Sequence, residues 1–366
     1  MDGLGSSLHT PVNDRLVSER GRGADLTIEG NPRRILANLL AENQLAGRRS
    51  SPPRTVLETV ARMAPLLRAF AREDDRLWSP ASIDPQSVPE MPGLPRPIFE
   101  SGPLRDLPPA GDVLAWCETP EAAAHRGGSR AEIDFSWDEP LHELIWKLPT
   151  PSPAVVAVVH HREFSLQVAE NLGCALPGAR MVESMAELDR ILPTAPPAWI
   201  VKAPFSASGR SRYIERSGPA LIDPKSRRTV ERLFELHGPL LFEPWMDRTE
   251  DFGVSALLGA SGLRIVGIHR QQVDRKGQFV GIDLHPDLSD QDQRQLLKTT
   301  EAVSAALRSA GYVGPFGIDA WRYRRPNGAV VLNPLGEINA RMTFGLVAWA
   351  TGERLSLSPS LQGDRT

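Results

Sequence analysis

Cysteine is scarce in this 366-residue chain: it has two, Cys117 and Cys174, set far apart and without the close-set partners of a zinc site. Neither a disulfide framework nor a structural zinc is indicated, and a reducing compartment fits. An excess of one charge is lacking too, since 42 Lys and Arg are interspersed with 45 Asp and Glu, for a formal net charge of −3. Without a basic footprint, nucleic acid is not an expected partner. No apolar run approaches the roughly 18 residues of a membrane span, and the N-terminus has no basic-then-apolar signal pattern. The expectation is a soluble, cytoplasmic protein with no membrane partner. The GxxxxGK[ST] pattern is missing as well, which removes the P-loop as a source of nucleotide binding.

What is present is an ordinary globular composition and enough length for two or three packed modules. Residues 1–30 are rich in Gly, Ser, Asp and Arg without periodicity and read as a floppy tail. After Asn31-Pro32, the spacing of Ile35, Leu36, Leu39 and Leu40 predicts a helix to about Gly47. A second amphipathic stretch runs from Val56 to Phe70 and ends at the charged cluster 72–75. Proline is dense from Ser79 to Pro109, which leaves extended connectors and turns there. Asp112–Trp116 and Leu144–Trp146 read as short strands, and Ala154–Val159 as a buried one.

Beyond these, helices are expected over Glu163–Leu172, Met185–Leu192, Lys225–Leu236 and Gln291–Ala310. Strands are expected at Trp199–Lys202, Leu240–Glu243, Phe252–Leu258, Leu263–Arg270, Gly317–Tyr323 and Ala329–Asn333. That mixture is α+β rather than regularly alternating βαβ.

Several segments carry chemistry. The loop Ser206–Arg212, with Ser208 and Gly209 inside it, follows the strand ending at Lys202; its backbone N–H groups could wrap phosphate oxygens, although such a loop is by itself usually only a loop. Acidic groups bracket the turn between Glu243-Pro-Trp-Met246 and Glu250-Asp251, as a ribose or adenine amine would need, or simply as a solvated turn. Asp319 falls in a strand pattern, where an inward carboxylate is costly unless paired or metal-bound. Glu337 and Asn339 are two apart, so on an extended chain both point the same way, and Arg341 extends that face. Asp319, Glu337 and Asn339 together are the hard oxygen donors magnesium prefers.

The order of these blocks resembles the ATP-grasp superfamily, from about Val155 to Ala348: a strand lysine with a small-residue loop, a Glu-bearing strand with a four-residue hinge, then Asp followed by Glu-x-Asn-x-Arg. The resemblance implies an ATP-grasp fold, two α+β subdomains gripping ATP over 154–352. An α/β substrate-side domain over 31–153 would precede it, and a short tail over 353–366 would follow.

Residue by residue, the resemblance puts Arg162 where an early phosphate-binding lysine is usual, with His161-Arg162 in place of Asp-Lys, and Lys202 at the second lysine. Ser206, Ser208 and Gly209 match the mobile phosphate loop. Glu243 and Met246 match the adenine hinge, and Asp251 the ribose acid, with Glu250 competing for that role. Asp319, Glu337 and Asn339 match the ligands of two magnesium ions. Arg341 matches the arginine facing the acyl phosphate, with Ala340 in place of the usual proline.

The implied reaction is ADP-forming: a small-molecule or peptide carboxylate attacks the γ-phosphate of ATP and an amine opens the acyl phosphate, with Lys202 and Arg341 as the catalytic cations. A kinase acting on a hydroxyl, or a non-catalytic nucleotide-binding protein, are the alternatives. Adjacent His160 and His161 would face opposite ways on a strand, and His269-Arg270 with Lys276 could meet substrate or form a surface cluster. A homodimer is the ordinary expectation for a soluble enzyme.

Overall fold

The computed structural model describes residues 33–48, 52–126, 130, 133–206, 211–216, 218, 223–273 and 279–357. The expected positions Ser208, Gly209 and Lys276 lie outside the described residues. Among those described, no helix is long and apolar enough to cross a membrane.

The described residues open with β1 (Arg34–Leu36) and α1 (Ala41–Leu45), where the sequence spacing predicts one continuous helix. Ile35 and Leu36 are fully buried at the inside of a parallel sheet, and such a strand reads as a solid apolar run because both faces are covered. Next come α2 (Arg54–Met63), a 3₁₀ stretch over Ala64–Phe70, and β2 (Arg76–Ser79), a strand the sequence reading misses. The proline-rich connector contributes an edge strand, β3 (Ile98–Ser101), besides two short 3₁₀ turns, and β4 (Val113–Ala115) completes the sheet in the order β3-β2-β1-β4. All pairings are parallel. Asn38 clasps the carboxyl ends of β1 and β4: its amide donates to the Cys117 carbonyl at 2.7 Å and its oxygen accepts the Cys117 N–H at 3.2 Å.

Three helices follow: α3 (Pro120–Arg126), α4 (Leu141–Lys147) and α5 (Pro153–Val159). The last two replace expected strands. In α5 the Ser152 side chain accepts the Val155 N–H and Pro153 occupies the first turn, a start signal that outweighs an apolar run too short for periodicity to decide. Val156 and Val159 are buried while Val158 is 60% exposed, which is helical spacing. Likewise α4 starts after Pro140 and buries Leu141, Leu144 and Ile145 on one side. Then α6 (Arg162–Asn171) is capped by His161 and closed by Gly173 at φ +67°.

A four-stranded antiparallel sheet comes next, in the order β5-β8-β6-β7: β5 (Arg180–Val182), β6 (Trp199–Lys202), β7 (Arg212–Glu215) and β8 (Leu240–Pro244). Helices α7 (Met185–Ile191) and α8 (Pro224–His237) share its core of Val182, Leu188, Trp199, Val230 and Phe242.

The largest sheet is antiparallel, in the order β11-β10-β9-β12-β13. It contains β9 (Asp247–Leu258), β10 (Leu263–Val273), β11 (Phe279–Asp283), β12 (Gly314–Arg324) and β13 (Val330–Asn339). Helices α9 (Asp290–Ser309) and α10 (Phe344–Leu357) complete this part. Cross-strand pairs Phe252–Ala320 and Val254–Ile318 form an apolar face. The opposite face carries the row His269, Gly253, Asp319, Glu337, because paired residues on neighbouring strands share a side. The α+β class expected from the sequence is thus present: helices on two antiparallel sheets, preceded by a parallel one.

Candidate active site

Asp319 on β12 and Glu337 on β13 are direct cross-strand partners, and Asn339 follows two residues along. The Asn339 amide donates to Asp319 Oδ2 at 3.1 Å and the Gln271 amide to Asp319 Oδ1 at 3.0 Å. Burial, reinforced by the charge of Glu337, pushes the Asp319 carboxyl up to about 6. Burial also acts to raise Glu337, but the charges of Arg162 and Lys202 outweigh it and hold that carboxyl below its ordinary value. The Glu337 side chain keeps 21% of its exposure, so the pair is reachable from one side.

Arg162, at the start of α6, meets this pair. Its Nη2 donates to both Glu337 oxygens at 2.9 and 3.0 Å and to the Ser206 carbonyl at 3.1 Å. Its Nη1 donates to Ser206 Oγ at 2.8 Å and to the Ala203 carbonyl. Lys202 ends β6 and donates to Glu243 on β8, a buried ion pair. Burial depresses the Lys202 ammonium, and Glu243 opposes that shift. Met246 lies in the connection between β8 and β9, where its carbonyl accepts the Arg248 N–H at 3.0 Å.

Asp251 and Glu250 have different surroundings. Asp251 pairs with Trp321 and Gln271 across the sheet, in the row next to Asp319, and accepts from Arg248 at 3.2 Å. Glu250 instead accepts from Arg322 at 2.6 Å and faces Arg270 at 3.7 Å, in a network that includes Asp292 of α9. Arg270 thereby belongs to that surface cluster, whereas His269 is buried.

Arg341 departs from the expected geometry. It does not continue the face of Glu337 and Asn339, because β13 ends at Asn339 and the chain bends: the Ala340 N–H goes to His160 Nδ1 at 3.2 Å and the Arg341 N–H back to the Asn339 carbonyl at 2.9 Å. The guanidinium instead donates to Glu42 at 3.2 Å and lies over the Trp116 ring, 5.3 Å from its centroid. His160 and His161 lie at a helix end rather than on a strand. The first accepts a backbone N–H beside the site, and the second caps α6.

Four residues near this site carry no signal in the sequence reading: Gln271, Arg248, Trp321 and Glu42. The Arg248 guanidinium sits 3.7 Å over the Trp321 ring, and that ring packs on Gly336, where an added Cβ would fall 1.6 Å from Cζ3. Gly336 lies where β13 bulges, with three residues against one of β12 between the Asp319–Glu337 and Trp321–Asn333 pairs. Among the described residues, Arg162 Nε, Trp321 Nε1 and His269 Nδ1 are buried polar atoms without hydrogen-bond partners, all beside this face. Such orphans call for an explanation, and a bound polar ligand is one.

Among the described residues, no group of three or more His, Cys, Asp or Glu could hold a metal ion. The set at hand is two carboxylates and an amide, which fits a hard cation that keeps waters and phosphate oxygens in its shell better than a closed structural site.

No protein-family model and no curated protein sequence matches the chain. Among solved structures it is similar to N5-carboxyaminoimidazole synthetase from Staphylococcus aureus complexed with ADP, with 12% identity, TM-score 0.49, and 86% of this chain and 72% of that one covered. It is also similar to L-amino acid ligase from Bacillus licheniformis, with 13% identity, TM-score 0.48 and coverage of 88% and 70%. For D-alanine-D-alanine ligase from Helicobacter pylori the figures are 15%, 0.39, 60% and 64%.

Proposed function

We propose that this chain is an ATP- and magnesium-dependent ligase of the ATP-grasp type, which activates a carboxylate as its acyl phosphate and passes the acyl group to an amine. The observation that supports it best is the meeting of Arg162 with Glu337. It brings a cation at the start of α6, the end of β6 and the Asp319–Glu337–Asn339 face to one place.

In this reading Arg162 and Lys202 hold the α- and β-phosphates, with Ser206 and the loop after it covering them. Glu243, Met246 and Asp251 take adenine and ribose. Asp319, Glu337 and Asn339 would hold magnesium, which when bound neutralises charge on the β- and γ-phosphates. Arg341 presents a planar donor edge to the transferring phosphoryl group, where charge spreads over three oxygens. Positioning and cations do the work, and no side-chain nucleophile is required. The division into a substrate-side domain over 31–153 and a nucleotide-gripping one over 154–352 belongs to the same proposal.

The test is incubation with ATP, Mg²⁺ and a carboxylate library, with hydroxylamine replacing the amine, read by mass spectrometry. ADP and a hydroxamate are the expected products, because an acyl phosphate is electrophilic enough for a small nucleophile to trap. AMP with pyrophosphate would eliminate the mechanism, and ADP with a phosphorylated hydroxyl would move the assignment to a kinase.

A second test separates two lysines. Lys202→Ala is expected to weaken ATP·Mg²⁺ binding by roughly tenfold to a hundredfold, the range of a lost charge-assisted hydrogen bond. Lys225→Ala, in the first turn of α8 and exposed, should leave it unchanged. Equal affinities by titration calorimetry would return Lys202 to an ordinary strand-end lysine.

A further inference from the structure

Glu42 is a buried carboxylate, 5% exposed, on the short helix after β1. It reaches Arg341, 299 residues away in sequence, and accepts its Nε–H at 3.2 Å. The same carboxylate oxygen faces His160 Nε2 at 3.8 Å. Because His160 Nδ1 accepts the Ala340 N–H, its ring proton belongs on Nε2, pointing at Glu42. Burial works to raise the Glu42 carboxyl, yet His160 and Arg341 bring it down to about 2, so it stays ionised.

Arg341 is correspondingly constrained. Its Nε is taken by Glu42, its Nη1 by the Met342 carbonyl at 3.0 Å, and its plane lies over Trp116. Nη2 has no hydrogen-bond partner among the described residues, and the side chain keeps 14% exposure. The charge of Arg341 is felt at Asp319, where it opposes the rise that burial imposes on that carboxyl. An arginine free to rotate would give up side-chain freedom on meeting a phosphoryl group, whereas one already fixed on two edges gives up little.

We infer that Glu42, steadied by His160, is a positioning residue that holds Arg341 with its Nη2 edge free for the transferring phosphoryl group. This rests on the proposed role of Arg341, and the two can fail separately. The probe is ADP·Mg²⁺ with and without aluminium fluoride, a mimic of the phosphoryl group in transfer, which requires no knowledge of the carboxylate. Aluminium fluoride is expected to tighten ADP binding to the full chain at least tenfold, and Arg341→Ala to abolish that gain.

Glu42→Gln should lose most of the same gain, and the double variant no more than Arg341→Ala alone, each gain being taken relative to that variant's own ADP·Mg²⁺ affinity. Glu42→Asp keeps the charge but withdraws it by one methylene, and should lose an intermediate part; it carries the test if thermal melting shows Glu42→Gln unfolded. Either folded Glu42 variant keeping the full gain while Arg341→Ala loses it would overturn the inference and leave Arg341 its role. Full gain in Arg341→Ala, or none in the wild type, would overturn both.

Discussion

Glu337→Gln is expected to lower ADP formation about a thousandfold, the effect of removing roughly 4 kcal/mol of transition-state stabilisation, while leaving the fold intact. The substitution keeps the side-chain volume and one oxygen but removes the charge that faces Asp319 across the strands and Arg162 from α6. Arg162 is not stranded, because it keeps the Ser206 and Ala203 carbonyls and the Ser206 hydroxyl. Nucleotide binding should therefore survive in the variant although turnover does not. Circular dichroism, ATP titration and ATP consumption measured on one preparation would show this pattern, and wild-type turnover would remove Glu337 from the metal set.

The second large effect is expected in stability. Gly336→Ala would place a methyl group 1.6 Å from Trp321 Cζ3 and 2.0 Å from Cη2. Trp321 is 3% exposed and already carries Arg248 on its ring, so the ring has little room to yield and the bulge of β13 must deform. Overpacking of this kind costs about 1–3 kcal/mol, and because Trp321 pairs with Asp251, nucleotide affinity should fall with it. Gly352→Ala is the control: it sits in α10 with its nearest neighbour, Leu284 Cδ1, at an ordinary 3.5 Å. There a small gain is expected from helix propensity. A Gly336→Ala protein melting at the wild-type temperature would contradict the packing described here.

The elements that sequence reads well are those whose local signals agree. Lys202, Glu243 and Asp319 sit on strands expected from pattern, whereas Glu337 and Asn339 lie beyond the strand expected at Ala329–Asn333; period two still puts them on one side because β13 stays extended to Asn339. The same rule fails one step later. Two backbone N–H groups, of Ala340 and Arg341, are captured by His160 and Asn339, and no local pattern announces that bend. Helix and strand are confused at 35–40 and 154–159 for a related reason, since so short an apolar stretch satisfies either period and only burial on both faces or a cap decides. Trp321, Arg248 and Glu42 were illegible because their importance comes from strand register, a bulge and a contact between distant parts of the chain.

Each of the two proposed phosphate cations has a protein carboxylate as its partner, Arg162 with Glu337 and Lys202 with Glu243. Seen as ion exchange on the proposed assignments, magnesium arriving alone would draw Glu337 away from Arg162 and leave a guanidinium without its counter-charge in a largely buried place. ATP arriving alone would do the converse, drawing the cations away and leaving carboxylates facing one another. When the two arrive together, each displaced charge finds its new counterion in the other ligand, so one separation serves both. Metal and nucleotide should therefore raise each other's affinity reciprocally, by a coupling on the order of 1–3 kcal/mol. A chain built this way would discriminate against metal-free nucleotide through the internal pairing of its own charges.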